Sequence, residues 1–260
     1  MKLTYQKKNE GEYYFVSNPK PFNGISIDKT DVEKVLNFAY SMCFGEGHHR
    51  STRTGGQYSR KNGEKFCNTF QGKLAEVVLY NHFKSNAVEC NEPDFGIYSE
   101  GIWDDSDLEI KNKKINIKSA ASQSNLLLLE TKDWTLDAQY IPNLTNGSTN
   151  KYDYFILVRI NPDIKKLFRN QRLMFNNEIP KTIIEELIFA SSWTYDIAGY
   201  CSNEDLKKAI ANKDILPQNS ILNQYTKMDA ENYYIQCGNM SNIEELISKF
   251  SISQTQNKSI

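Results

Sequence analysis

Two short runs constrain this chain more than any other feature. Residues 125–130 and 154–160 are almost wholly apolar, and each has the length of a strand. A strand with no polar face has to be covered on both sides. No apolar run approaches the roughly 18 residues needed to span a bilayer. The two runs therefore predict buried strands in a layered globular protein. Helical spacing supplies the layers. Thr30-Asp31-Val32-Glu33 reads as a capping box, and Val32, Val35, Leu36, Ala39 and Tyr40 then recur on one face, which predicts a helix over 31–44. A second helix is expected over 71–83, with Leu74, Val77 and Val78 on its apolar face and Glu76 set off from it. Extended segments are expected at 94–98, 107–111, 114–118 and 192–200. Further helices are expected at 182–189, from Ser202 to Ile210, and from Ser241 to about Phe250. Strands mixed with helices in this way indicate an α/β protein.

The chain has 260 residues, which sets a prior between one and two domains. One domain is expected, with a core at about 30–165, a C-terminal elaboration at about 166–250 and a frayed tail at 251–260. The five cysteines (Cys43, Cys67, Cys90, Cys201 and Cys237) contain no C-x-x-C pair, which argues against a zinc ribbon and a disulfide framework. The first fourteen residues are polar and hold no signal-peptide core, so a cytoplasmic location is expected. P-loop, Rossmann and serine-hydrolase motifs are absent from the sequence.

Net charge is −1, so bulk charge does not advertise nucleic acid. Its distribution is more informative. Residues 47–65 carry Arg50, Arg53, Arg60, Lys61 and Lys65 against Glu64, which is +5 −1 = +4 in nineteen positions. His48 and His49 stand too close together for paired helical zinc ligands.

The chemistry concentrates at 103–120. If Asn112-Lys113 is a two-residue hairpin turn, residues whose numbers sum to 225 face each other. Ile110 then meets Ile115 and Leu108 meets Ile117 on an apolar face. On the other face Glu109 meets Asn116 and Asp107 meets Lys118, about 5 Å apart at Cβ. Carboxylates, an amide and an ammonium on one face suit metal-assisted phosphodiester hydrolysis. Oxygen ligands hold Mg²⁺, the ion polarises the phosphate and acidifies a water, and a lysine orients that water and offsets developing charge.

This order of a helix-borne Glu, an Asp and a strand-borne Lys resembles the PD-(D/E)xK nuclease superfamily, whose restriction-endonuclease-like core runs helix, three-strand meander, helix, strand. The resemblance covers about 70–160. It implies a mixed central β-sheet flanked by helices, with 71–83 as the first helix, 94–98 as the first strand, the hairpin as the next two and 154–160 as the later central strand. It implies Asp107, Glu76 and Asn116 as metal ligands and Lys118 as the motif lysine, with Gln123 near the site. Asn116 stands where the family carries Asp or Glu, and Glu76 or Glu109 would supply the missing charge. A rival register, Asp94 with Glu109 and Lys111, spells the literal motif but sets its lysine against a turn. The basic segment resembles the recognition arms of type II restriction endonucleases. Arg50, Arg53, Gln57, Tyr58, Arg60, Lys61 and Lys73 would contact bases and phosphates there. The expectation is a Mg²⁺-dependent endonuclease acting on double-stranded DNA, a type II restriction enzyme working as a homodimer. The alternative is a non-catalytic DNA-binding protein on the same fold.

Overall fold

In the computed structural model the apolar run at 154–160 is the inner strand of the central sheet. The structure describes residues 2–45, 60–96, 107–144 and 151–256. In chain order the elements are β1 (Thr4–Lys8), β2 (Gly11–Phe15), β3 (Ile25–Ser26), α1 (Lys29–Phe44), α2 (Asn62–Ser85), β4 (Leu108–Ile110), β5 (Lys113–Ala121), β6 (Leu126–Glu130) and α3 (Ile141–Leu144). There follow β7 (Tyr154–Asn161), α4 (Ile164–Asn170), α5 (Lys181–Phe189), β8 (Thr194–Ser202), α6 (Asn203–Ala211), β9 (Ile215–Leu216), β10 (Ile221–Leu222), β11 (Thr226–Lys227), β12 (Asn232–Gln236) and α7 (Ile243–Gln256).

The central sheet has five strands in the order β3-β8-β7-β5-β4. β5 and β7 run parallel and the remaining neighbours antiparallel, so the sheet is mixed. The mixed α/β class is as expected. β8 lies along the whole of β7, so one inner strand of this sheet comes from beyond residue 166. Alternation along β7 splits the interior. Ile156, Val158 and Ile160 face a core built with α1, α2, α4, α5 and α7. Phe155 and Leu157 face a second core with Leu127, Leu129, Trp134, Leu206 and Ile210. β6 forms a strand, as its composition predicts. It belongs to a separate sheet, β6-β12-β9, on the second face. The connection between parallel β5 and β7 thus runs through a strand and a four-residue helix, α3, among its described residues.

Three elements differ from expectation. α1 is capped two residues early by Asp28, which accepts from Thr30 N at 2.8 Å, so Thr30 is not the cap. α2 begins at Asn62, well before residue 71, because Phe66, Cys67 and Phe70 are fully buried at helical spacing. Residues 91–96 form no strand, so the expected first strand is not found in its described part; residues 97 and 98 lie outside the described residues.

An ion pair ties the N-terminal segment to the sheet. Arg159 on β7 is fully buried and holds Asp196 of β8 through Nε (2.9 Å) and Nη2. Its remaining donors reach the carbonyls of Lys20 and Pro21, both at 2.8 Å. The guanidinium is therefore paired and hydrogen-bonded, as a buried charge requires.

Candidate functional site

β4 and β5 form the expected hairpin with a different turn. Lys111 and Asn112 occupy the two central positions, with φ of 49° and 62°, as a type I′ turn demands. The observed pairs, Leu108 with Ile115 and Glu109 with Lys114, sum to 223 and not 225. The cause lies outside the hairpin. Asp153, just before β7, binds Lys113 Nζ at 3.0 Å and accepts from Lys114 N at 3.0 Å, which draws Lys113 into the strand. A slip of two leaves every side chain on its predicted face. It does change partners: continuing the register sets Asp107 across from Asn116, where Lys118 was expected.

Asp107 caps the end of the hairpin ladder, its Oδ2 accepting from Ile117 N at 2.6 Å. Asn116 is 6 % exposed, and its Oδ1 has no hydrogen-bond partner among the described residues. Lys118 shares the Asn116 face of β5, and its β7 neighbour Leu157 belongs to the second core. It makes no hydrogen bond or ion pair among the described residues, so the expected Asp107–Lys118 contact is not formed. Instead it lines a cavity of about 260 Å³, beside Glu130, Asp133, Trp134, Tyr140 and Asp229. Glu130 there pairs with Lys132 at 2.7 Å. These acids were missed by sequence reasoning. The available signal was the single Glu closing the apolar run Leu126–Leu129.

Glu76 lies on the other side of the sheet from Lys118. Its helix packs against β5 through Gln71 Nε2, which donates to Ser119 Oγ at 3.3 Å, and Ser119 alternates away from Lys118. Glu76 forms an ion pair with Lys73. Lys73 also donates to the Asp94 carbonyl at 2.8 Å and lies 5.2 Å and 5.6 Å from the rings of Phe38 and Phe95. Lys73, expected to reach DNA, is thus enclosed. The Glu76–Lys73 pair holds residues 94–96 against α2.

The remaining candidates are scattered. Arg60 pairs with Glu64 at 3.8 Å, Lys61 is the exposed cap residue of α2, and Gln123 is exposed just beyond β5. Glu109 is exposed, and Lys111 sits in the turn with its ammonium on the Phe250 carbonyl, so the rival triplet does not converge on Asp94. Arg50, Arg53, Gln57, Tyr58, His48 and His49 lie outside the described residues.

Among the described residues, no three His, Cys, Asp or Glu side chains are grouped to hold a metal ion. The set that fits a cation best is Asp107 with Asn116, one carboxylate and one buried amide oxygen that accepts from no described residue. Mg²⁺ is commonly held by one or two protein oxygens, with waters filling the other positions. No family model matches this chain, and neither a curated protein nor a solved structure does. No helix among the described residues is long and apolar enough to cross a membrane.

Proposed function

We propose that this chain is a Mg²⁺-dependent endonuclease that hydrolyses double-stranded DNA at specific sites, as a type II restriction enzyme of the PD-(D/E)xK kind. The observation that carries the reading is Asn116 Oδ1, buried with no hydrogen-bond partner among the described residues, on the strand face it shares with Lys118 and across from Asp107. A buried acceptor left unpaired costs about 1–3 kcal/mol, and such atoms in folded proteins call for an explanation such as an ion. Asp107 and Asn116 would hold the cation. When bound, Mg²⁺ supplies Lewis-acid polarisation of the scissile phosphate and a more acidic water. Lys118, two residues along the same face, offers an ammonium to orient that water or to offset charge on the phosphate. The Glu76–Lys73 pair acts as a positioning device for the segment leading toward Asp107. A palindromic target would be met by a twofold dimer.

Incubation with plasmid DNA and Mg²⁺ tests this. Discrete fragments are expected. Asp107→Ala and Lys118→Ala should each lower cleavage about a hundredfold or more, with DNA retardation retained. Cutting at the wild-type rate by either variant overturns the assignment. A second reading, a DNA-binding protein without catalysis, is favoured by the neutral Asn116 in place of a carboxylate. Retarded but intact DNA with the wild-type chain would establish it.

A further inference from the structure

The endonuclease reading leaves unassigned a basic face formed by α4 and the start of α2. Residues 164–172 hold Lys165, Lys166, Arg169 and Arg172 with no acid among them, in a chain whose net charge is −1. The packing explains where these side chains point. Ile164 and Phe168 are the buried residues of α4, and the Phe168 ring stacks on Phe66 of α2 at 5.3 Å. That contact turns Lys166, Arg169 and Arg172 to solvent. The acid next to α4, Asp163, is committed to capping the helix, accepting from Lys165 N at 2.9 Å, and Glu64 at the start of α2 is paired with Arg60.

The start of α2 joins this face. Gly63 N donates to the Asn176 carbonyl at 2.9 Å, and a Cβ on Gly63 would stand 2.2 Å from the Leu173 carbonyl oxygen. The two segments are therefore in direct contact, and the exposed Lys61 stands at their junction. Its position matters as well. β5 and β7 are parallel and end together, Ala121 pairing with Ile160. β7 leads straight through Pro162 into α4, which packs on α2, so the basic face lies beyond the shared end of β5 and β7 on the α2 side of the sheet, opposite the face that carries Lys118.

We infer that this face binds the sugar-phosphate backbone of duplex DNA, without regard to sequence. The inference rests on the endonuclease reading for its setting. Its chemistry is that of phosphate contact: Lys166, Arg169 and Arg172 are presented to solvent from one short segment that holds no acid.

The test compares two charge-reversal variants of the full chain. One carries Lys166→Glu, Arg169→Glu and Arg172→Glu. The other carries Lys7→Glu, Lys8→Glu and Lys227→Glu, which are equally exposed but lie on the sheet formed by β1, β2, β10 and β11. Affinity for a labelled mixed-sequence duplex is measured over a range of salt, with cleavage of plasmid DNA in Mg²⁺ recorded alongside. The α4 variant should bind about tenfold more weakly or worse at low salt. The slope of log affinity against log salt should shrink by about 2 to 3, since each phosphate contact contributes ~0.9. The control should stay near wild type. Equal losses in both variants, or binding by the α4 variant that matches wild type, overturn the inference. If the wild-type chain never cuts but its binding depends on α4, the nuclease reading fails and this one stands. If it cuts and α4 is irrelevant, the reverse holds.

Discussion

Asn116 is a single side chain on which stability and the proposed activity pull apart. A leucine there would fill a similar volume and remove an acceptor that has no partner. Replacing an unpaired buried polar group by an apolar one of like shape is neutral or stabilising. Asn116→Leu should therefore leave the urea midpoint unchanged or raise stability by about 1 kcal/mol, while abolishing cleavage. A clear loss of stability would show that the amide is structural. The neighbouring Asp107 shows what local sequence can and cannot tell. Its face was readable from the alternation of Leu108, Glu109 and Ile110. Its partner was not, because Asp153, some forty residues away, decides which two residues make the turn.

At the scale of elements, the packing of α2 against α7 carries a pH dependence. His82 on α2 faces Glu244 on α7 at 3.7 Å, and its Nε2 has no hydrogen-bond partner among the described residues. Burial holds its pKa below the ordinary 6.5, with Glu244 opposing that shift. Above pH 6.5 both folded and unfolded chains carry it neutral. As the pH falls through 6.5 the unfolded chain takes up a proton that the folded chain resists, so stability falls until the folded value is passed. Urea titrations at pH 7 and 5.5 should show this fall, and His82→Gln should show less of it. An identical fall in the variant would assign the effect elsewhere. Periodicity and caps made α1, α5, α6 and α7 readable, and apolar density did the same for β6, β7 and β8. β1, β9, β10 and β11 are short, exposed or both, and no period marks them. The start of α2 was obscured because Asn62-Gly63 looks like a turn, whereas the glycine is there for the close passage of the Leu173 carbonyl.

Across the whole molecule, Arg159 and Asp196 join three distant pieces of chain. The pair links β7 to β8 and fixes Lys20, Pro21 and the Asn23 amide, which donates to Asp196 Oδ2 at 3.0 Å. Asp196→Ala would leave a fully buried guanidinium without its counter-charge. Breaking such a pair from one side costs about 3–5 kcal/mol, and thermal or urea unfolding should show a loss of that size. A loss under 1 kcal/mol would mean that the backbone carbonyls alone satisfy Arg159. The two residues are unremarkable in sequence; only the three-dimensional register of β7 and β8 brings them together.

The cavity around Lys118 is closed on its far wall by Met228, Asp229 and Asn232, more than a hundred residues downstream of the lysine. A ribosome that has released the hairpin, α2 and the central strand has therefore not yet made that wall. Lys118 on such an unfinished chain faces open water, and the pocket comes into being when β12 docks on β6. For a protein proposed to cut DNA, the lysine's surroundings are thus set by the docking of β12.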